Sequence, residues 1–174
     1  MTTDRLVLRP PVESDLQRLF DIYGDARTNT HNPAGPFANI DTARTVLTGW
    51  MAHWQQHGFG KWAISAADDP SHVIGFGGID HRRYIDEDKI NLGYRFGVEA
   101  WGKGYATELG RASLALAFDA LGLPDVFGIV RPANTASIRV LEKVGMHWVG
   151  AVDDVPGAEP SRLYRAENGG AQKR

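Results

Sequence analysis

Apolar residues along the chain recur in two rhythms, one of alternation and one of helical spacing, and the changes between them mark out the elements. Leu6, Val7 and Leu8 form a short β-type run that stops at Pro10 and Pro11; Ser14 and Asp15 then open a helical spacing through Leu16, Leu19, Phe20 and Tyr23. Residues 29–39 read as loop. Asp41 is placed to cap a second helix whose apolar stripe is Val46, Leu47, Trp50, Met51 and Trp54, ending near Gly58. Three strand-like segments follow, 61–65, 73–79 and 89–96, parted by an Asp-Asp-Pro turn and by the charged stretch 82–88, and they predict an antiparallel meander.

The last of these strands runs into 97–104, after which Ala106, Leu109, Ala112, Ser113, Leu116, Ala117 and Ala120 keep helical spacing as far as Gly122. A β-rich run at 126–130 comes next. Asn134 or Thr135 can start a helix through Ile138, Leu141 and Val144, with Gly145 where a helix C-cap belongs. Segments 148–152 and 162–164 finish as strands around a loop holding Pro156 and Gly157. The order β-α-α-β-β-β-α-β-α-β-β predicts an α+β fold, a mixed and mostly antiparallel sheet of about seven strands with four helices, and not a doubly wound alternation. One domain is expected over 1–165, and the Gly-rich, charged end, 166–174, is expected to be a flexible tail.

Composition narrows the chemistry. In 174 residues there is no cysteine, which removes disulfides, thiolate metal sites and cysteine nucleophiles. Nineteen Lys and Arg against 21 Asp and Glu give a net charge of −2, without the basic field of a nucleic-acid or anionic-membrane binder. No signal-like or spanning apolar run is present, so the expected compartment is the cytoplasm.

The segment Trp101, Gly102, Lys103, Gly104, Tyr105, Ala106, Thr107 joins a strand to the long helix, so its glycines allow close backbone approach while its amides converge at the positive helix end. The arrangement reads as a cradle for phosphate, the alternative being a turn that simply closes a strand onto a helix. It is not a Walker loop, because Lys103 lies between the glycines with no hydroxyl residue after it. Nor is it a dinucleotide fingerprint: Thr107 stands where the third Gly or Ala belongs, and Asp125 precedes a strand instead of ending one. An ATP or NADH site is therefore disfavoured.

The run from Leu92 to Glu108 (LGYRFGVEAWGKGYATE), followed by that from Val130 to Met146 (VRPANTASIRVLEKVGM), resembles the GNAT superfamily of acetyl-CoA-dependent N-acetyltransferases. The similarity covers roughly residues 3–165 and is greatest to the branch containing the ribosomal-protein-alanine N-acetyltransferases. The resemblance implies acetyl transfer to a primary amine, a protein N-terminus or a small molecule, by direct attack in a ternary complex. It also implies that the amides of Gly102, Lys103, Gly104, Tyr105, Ala106 and Thr107 hold the CoA pyrophosphate. The edge Tyr94, Arg95, Phe96 would pair with the pantetheine arm like an added strand and donate one amide to the thioester carbonyl. Asn134 would bond the pantetheine, and it can also cap its helix.

Three positions depart from the pattern. Trp101 stands where many relatives have Gln or Arg, and Leu141 where many carry the tyrosine that protonates the departing thiolate. Ser137 is the expected substitute. Asn91 replaces a fourth-strand glutamate common in relatives, and an amide cannot take up the proton that an ammonium acceptor must lose. Asp80, His81, Glu87 and Asp88 remain as candidates, with Asp80, together with His81, favoured; the charges at 82–88 can equally be a solvated hairpin. Phe37, Trp50 and Trp54, with His53, are placed to wall the acceptor site. His53 and His57 stand four apart on one helix, but no Glu follows in an H-E-x-x-H pattern and the neighbours are apolar, so no metal is expected. The alternative to an enzyme is a non-catalytic acetyl-CoA sensor with the same fold, and the chain is expected as a monomer or as a homodimer joined through an exposed strand edge near its carboxyl end.

Overall fold

The computed structural model describes residues 1–169. Its elements run β1 (Leu6–Arg9), α1 (Leu16–Tyr23), α2 (Ile40–His57), β2 (Lys61–Ala66), β3 (Asp69–Tyr84), β4 (Glu87–Phe96), α3 (Tyr105–Ala115), β5 (Asp125–Val130), α4 (Thr135–Lys143), β6 (His147–Val152) and β7 (Ser161–Glu167). This is the expected order. The seven strands form one sheet, β1-β2-β3-β4-β5-β7-β6, antiparallel everywhere except between β4 and β5. No helix is long and apolar enough to cross a membrane among the described residues.

Strand alternation sorts the core onto two faces. On one face α3 packs over Leu6, Leu8, Trp62, Ile64, Ile74 and Phe96, and this layer continues under α4 through Leu92, Val126, Ile138, Leu141 and Tyr164. On the other, α1 and α2 bury Leu19, Ile22, Ala43 and Leu47 against Ala63, Val73 and Phe76. β6 is one edge of the sheet, with Trp148 and Val149 exposed on it.

Several boundaries differ from the sequence expectation. Asn39, not Asp41, caps α2, its Oδ1 accepting from the Thr42 N–H at 3.0 Å. Asp41 lies inside the first turn, where its charge still suits the helix dipole. The charged stretch 82–88 is largely strand: β3 and β4 run on as a long hairpin, and Ile85 turns it with φ 52°. At its end α3 passes into a π-turn over Leu116–Ala120, whose extra residue lets Leu116 and Phe118 both pack on the core. Arg165 to Glu167 belong to β7 and pair with β5, with Ala166 buried, so the chain stays in the sheet beyond the expected end of the domain. The tail expected over 166–174 lies outside the described residues from 170 onward.

Candidate active site

The sheet opens at one place. β4 and β5 share a single register pair, Asn91 with Phe127, and beyond it the second half of β4 has no neighbour on that side. A parallel pair normally continues its slanted ladder. Here the parting leaves the β4 edge at Tyr94 and Phe96 without a neighbouring strand, the Phe96 carbonyl being taken by the Trp101 indole, with α3 and α4 on one face and α1 and α2 on the other.

On the α3 side the glycine turn is built from backbone. Gly102 and Gly104 take φ of 72° and 79°, the left-handed region that costs any other residue about 1–2 kcal/mol, and Gly104 is the N-cap of α3. The first-turn amides of α3 have no carbonyl one turn back to bond, so they face outward. The turn is fastened from behind. Arg5 donates through Nη1 to the Lys103 carbonyl at 2.8 Å, and through Nε and its own amide to Glu108, each at 2.8 Å, while Thr3 Oγ1 donates to Glu108 at 2.6 Å. These donors outweigh the upward effect of burial and hold the Glu108 carboxyl below its ordinary range. Trp101 donates its indole N–H to the Phe96 carbonyl at 3.1 Å, so it closes the turn and offers no group to a phosphate. A groove of about 850 Å³ runs beside α3, lined by Arg111 and Lys143, by Asp4, and by the paired Arg5 and Glu108. The outward amides of the turn suit a phosphate.

Towards the opening, Asn134 caps α4 by accepting from the Ser137 N–H at 3.2 Å, which sets Ser137 in the first turn, half-buried. Tyr94 sends its side chain to this face. Its hydroxyl is buried without a hydrogen-bond partner; burial raises its pKa, and the nearby Ser137 hydroxyl acts the other way without forming a bond of normal geometry. Such an orphan is rare in a folded chain. Leu141 is core, packed at 3.4 Å from where a Gly128 side chain would begin. Sequence reading had given Tyr94 only a main-chain role, because nothing in spacing reveals which face its ring takes relative to α4.

The α1 and α2 side is made of side chains. Tyr23, Phe37, Trp50 and Phe76 form an aromatic group with centroids 5.2 to 6.4 Å apart. Arg95 lies across it, its guanidinium 4.4 Å from the centre of the Tyr23 ring and donating to Asn29 Oδ1. No carboxylate lies within ion-pair distance of Arg95 among the described residues, and burial draws its pKa down. Burial also pushes the Tyr23 phenol up to about 12, with Arg95 opposing and Asp80 reinforcing. Phe37 and Trp50 each pack on Tyr23, whereas Trp54 does not join them: its indole donates to the Lys61 carbonyl at 2.6 Å and packs towards the β1–β2 cluster.

Asp80 sits at the parting point, paired in register with Asn91. Its Oδ1 lies 3.2 Å from Lys61 Nζ and accepts weakly from Asn91 Nδ2 at 3.4 Å. The buried Lys61 also donates to the carbonyls of Gly78 and Gly93, both at 3.0 Å, and burial lowers its pKa against the pull of Asp80. Tyr84 donates to Asn91 Oδ1 at 2.5 Å, so the Asn91 amide accepts from Tyr84 while donating towards Asp80, which a carboxylate could not do. Asp80 Oδ2 takes no part in these contacts. His81 goes elsewhere, to His53 and His57, so the expected Asp80 and His81 partnership is not formed. Glu87 and Asp88 are exposed on the hairpin, paired with Lys89 and Arg83.

With this geometry in place, the comparisons agree. The acetyltransferase (GNAT) domain family profile matches residues 5–147, and the chain belongs to that family. It is an acetyl-CoA-dependent acetyltransferase. The uncharacterized N-acetyltransferase YoaA of Bacillus subtilis (strain 168) is 27% identical over 173 residues, covering 97% of this chain and 89% of its own. The crystal structure of an acetyltransferase from Agrobacterium tumefaciens str. C58 superposes with TM-score 0.79 at 28% identity, covering 96% of this chain and 93% of that one. The spermidine N-acetyltransferase of Vibrio cholerae, solved with CoA and spermine, shares the fold at TM-score 0.77 and 16% identity over 95% and 97% of the two chains.

Proposed function

We propose that the protein binds acetyl-CoA across the opening between β4 and β5 and passes the acetyl group directly to a primary amine that approaches from the α1 and α2 face. One observation carries this reading: the single pair Asn91 with Phe127 leaves the β4 edge free between an amide-lined turn and an acidic side chain. Acetyl-CoA supplies an activated acetyl group. The turn at 102–107 holds its phosphates, and the Tyr94 to Phe96 edge orients its amide-rich arm, with Asn134 adding a bond. One edge amide donates to the thioester oxygen, where such a donor is worth about 3 kcal/mol of barrier.

Asp80 Oδ2 takes the proton that the ammonium must lose, directly or through one water, while Lys61 holds the carboxylate in place. The amine nitrogen bonds to the acetyl carbon as the carbon–sulfur bond breaks. Ser137, with the unpaired Tyr94 hydroxyl beside it, donates to the leaving sulfur, so the tyrosine missing at Leu141 is replaced from β4. The acceptor is a small amine or a protein N-terminus, and the expected compartment is the cytoplasm.

The test is unfolding with acetyl-CoA, CoA, ATP and NADH in parallel, followed by two-substrate kinetics. Stabilisation of about 2.7 kcal/mol is expected at a hundredfold excess of either CoA form over Kd. Intersecting initial-rate lines support the ternary complex. Parallel lines with an acetylated enzyme on mass analysis would overturn it, and binding without release of CoA to any amine would favour a sensor.

A further inference from the structure

The third imidazole near the α2 pair comes from a strand more than twenty residues away. His53 and His57 lie one turn apart at the end of α2, His81 projects from β3, and one ring nitrogen from each falls within 4.8 Å of the others. The ring centroids are 4.5 Å (His53–His57), 4.3 Å (His57–His81) and 5.3 Å (His53–His81) apart. His53 Nδ1 is 2.8 Å from the Phe59 carbonyl. A carbonyl only accepts, so Nδ1 carries the hydrogen and Nε2 presents a lone pair. That lone pair faces His81, whose Nδ1 is 3.1 Å away and whose backbone N–H is 3.2 Å away.

From this arrangement we infer a binding site for one divalent transition-metal ion, held by His53, His57 and His81. Imidazole is the only donor, which selects ions of the zinc, nickel and copper kind over magnesium or calcium. Two nitrogens bound at 2.0–2.1 Å in a tetrahedron stand about 3.3 Å apart, close to the His53 to His81 separation already present. His57 closes by side-chain rotation, since it is exposed. The hydrogen that His81 Nδ1 directs at His53 moves to His81 Nε2 without a net change of charge on the rings, and the His81 backbone N–H, which also points at His53 Nε2, gives up that acceptor to the ion. The Phe59 carbonyl already orients His53 in the manner that holds metal-binding imidazoles. Three ligands leave a fourth position on the solvent side.

The ion would tie the end of α2, and the Phe59 and Gly60 link after it, to β3. Asp80 is the next residue of that strand, so the site bears on the acceptor face without touching the phosphate turn. The binding claim itself does not depend on the proposed acetyl transfer.

Untagged full-length protein, stripped with chelator and desalted, is titrated calorimetrically with ZnCl2, NiCl2 and MgCl2, with unfolding measured alongside. One zinc per chain is expected, with a raised Tm and at least a hundredfold preference over magnesium. His57→Gln and His81→Gln are each expected to weaken zinc at least tenfold while unfolding like the parent in chelator; both positions are exposed, so either variant suffices. Absence of saturable zinc binding overturns the site. So does zinc binding left unchanged in His81→Gln, which would place the ion on the helical pair alone or elsewhere, and so does equal affinity for magnesium. Loss of acetyl transfer to every amine would sink the proposed function and leave the metal titration untouched.

Discussion

The two faces of the opened sheet offer a ligand groups of opposite kinds. On the α3 side the groups offered to a ligand are mostly main chain: the amides of 102–107 and the free edge of β4, with Asn134 and Ser137 set by a helix cap. On the α1 and α2 side they are side chains drawn from four elements and a loop, Tyr23, Phe37, Trp50, Asp80 and Arg95 among them. Backbone recognition fixes one ligand and tolerates few changes of conformation, which is why glycines at positive φ carry it. Side-chain recognition can be rewritten by substitution without disturbing the turn. The first face is suited to the co-substrate of the proposed reaction and the second to its acceptor.

The largest effect that tests this division belongs to Asp80. Asp80→Asn is expected to lower kcat by about 10²–10³ while acetyl-CoA binding stays unchanged, in line with the loss of a positioned base. Because the variant leaves Lys61 with two carbonyl partners and no anion, some stability is lost too, and Tm must be followed. The distinguishing readout is pH. A missing base is compensated as the acceptor amine loses its own proton, so the deficit shrinks towards alkaline pH. A deficit constant across pH, or unchanged turnover, removes Asp80 from the reaction.

Ser137→Ala comes next, with an expected loss of about 10–100-fold in kcat, the range for one hydrogen bond to a charged atom. Tyr94→Phe is expected to lose less, and the double variant less than the product of the two, since both hydroxyls serve one sulfur. Full additivity would separate Tyr94 from the leaving group.

The same division accounts for what the sequence disclosed. Element order, the apolar stripes of the helices and the glycine turn are all local patterns, in which glycine spacing and apolar rhythm state the backbone directly. The acceptor face is not local. Arg95 was read for its main chain, and its side chain acquires meaning only because strand alternation turns it towards Tyr23 and Asn29. Trp54 shares the apolar stripe of α2 with Trp50, yet the hydrogen bond to the Lys61 carbonyl pulls it away from the site. Asp80 and His81 are neighbours in sequence and, for the same reason of alternation, meet different partners. The π-turn after α3 has no signature in residue spacing, because the apolar positions continue as in an α-helix.

Arg95 offers a sharper test of the acceptor face. A guanidinium without a carboxylate partner, set beside an aromatic group, suits an amine that also carries an anionic group. Phenylalanine is expected to be acetylated with kcat/KM about tenfold or more above phenylalaninamide, and spermidine to be poorer than either. Arg95→Gln is expected to erase the difference between acid and amide, since one charged hydrogen bond accounts for about 1.5–3 kcal/mol. Equal loss on both amines would show that Arg95 serves the packing of Tyr23 and Asn29 alone.

The smallest effect lies behind the phosphate turn, at Glu108. Its carboxyl is held below the ordinary value of 4.5 in the folded chain: burial pushes it up, and Thr3 and Arg5 more than offset that. A depressed folded pKa means that the native state binds fewer protons than the unfolded one. The stabilisation is therefore complete above pH 4.5 and fades as pH falls through the folded value. Glu108→Gln keeps the shape but not the charge, so it is expected to lower Tm slightly at pH 7, with the gap to the parent narrowing as pH falls below 4.5. Acetyl-CoA KM should rise with it, because Arg5 spans both Glu108 and the Lys103 carbonyl and loosens the turn when one anchor weakens. A Tm difference independent of pH would assign Glu108 a packing role, and the turn would then keep its shape through its glycines and Trp101 alone.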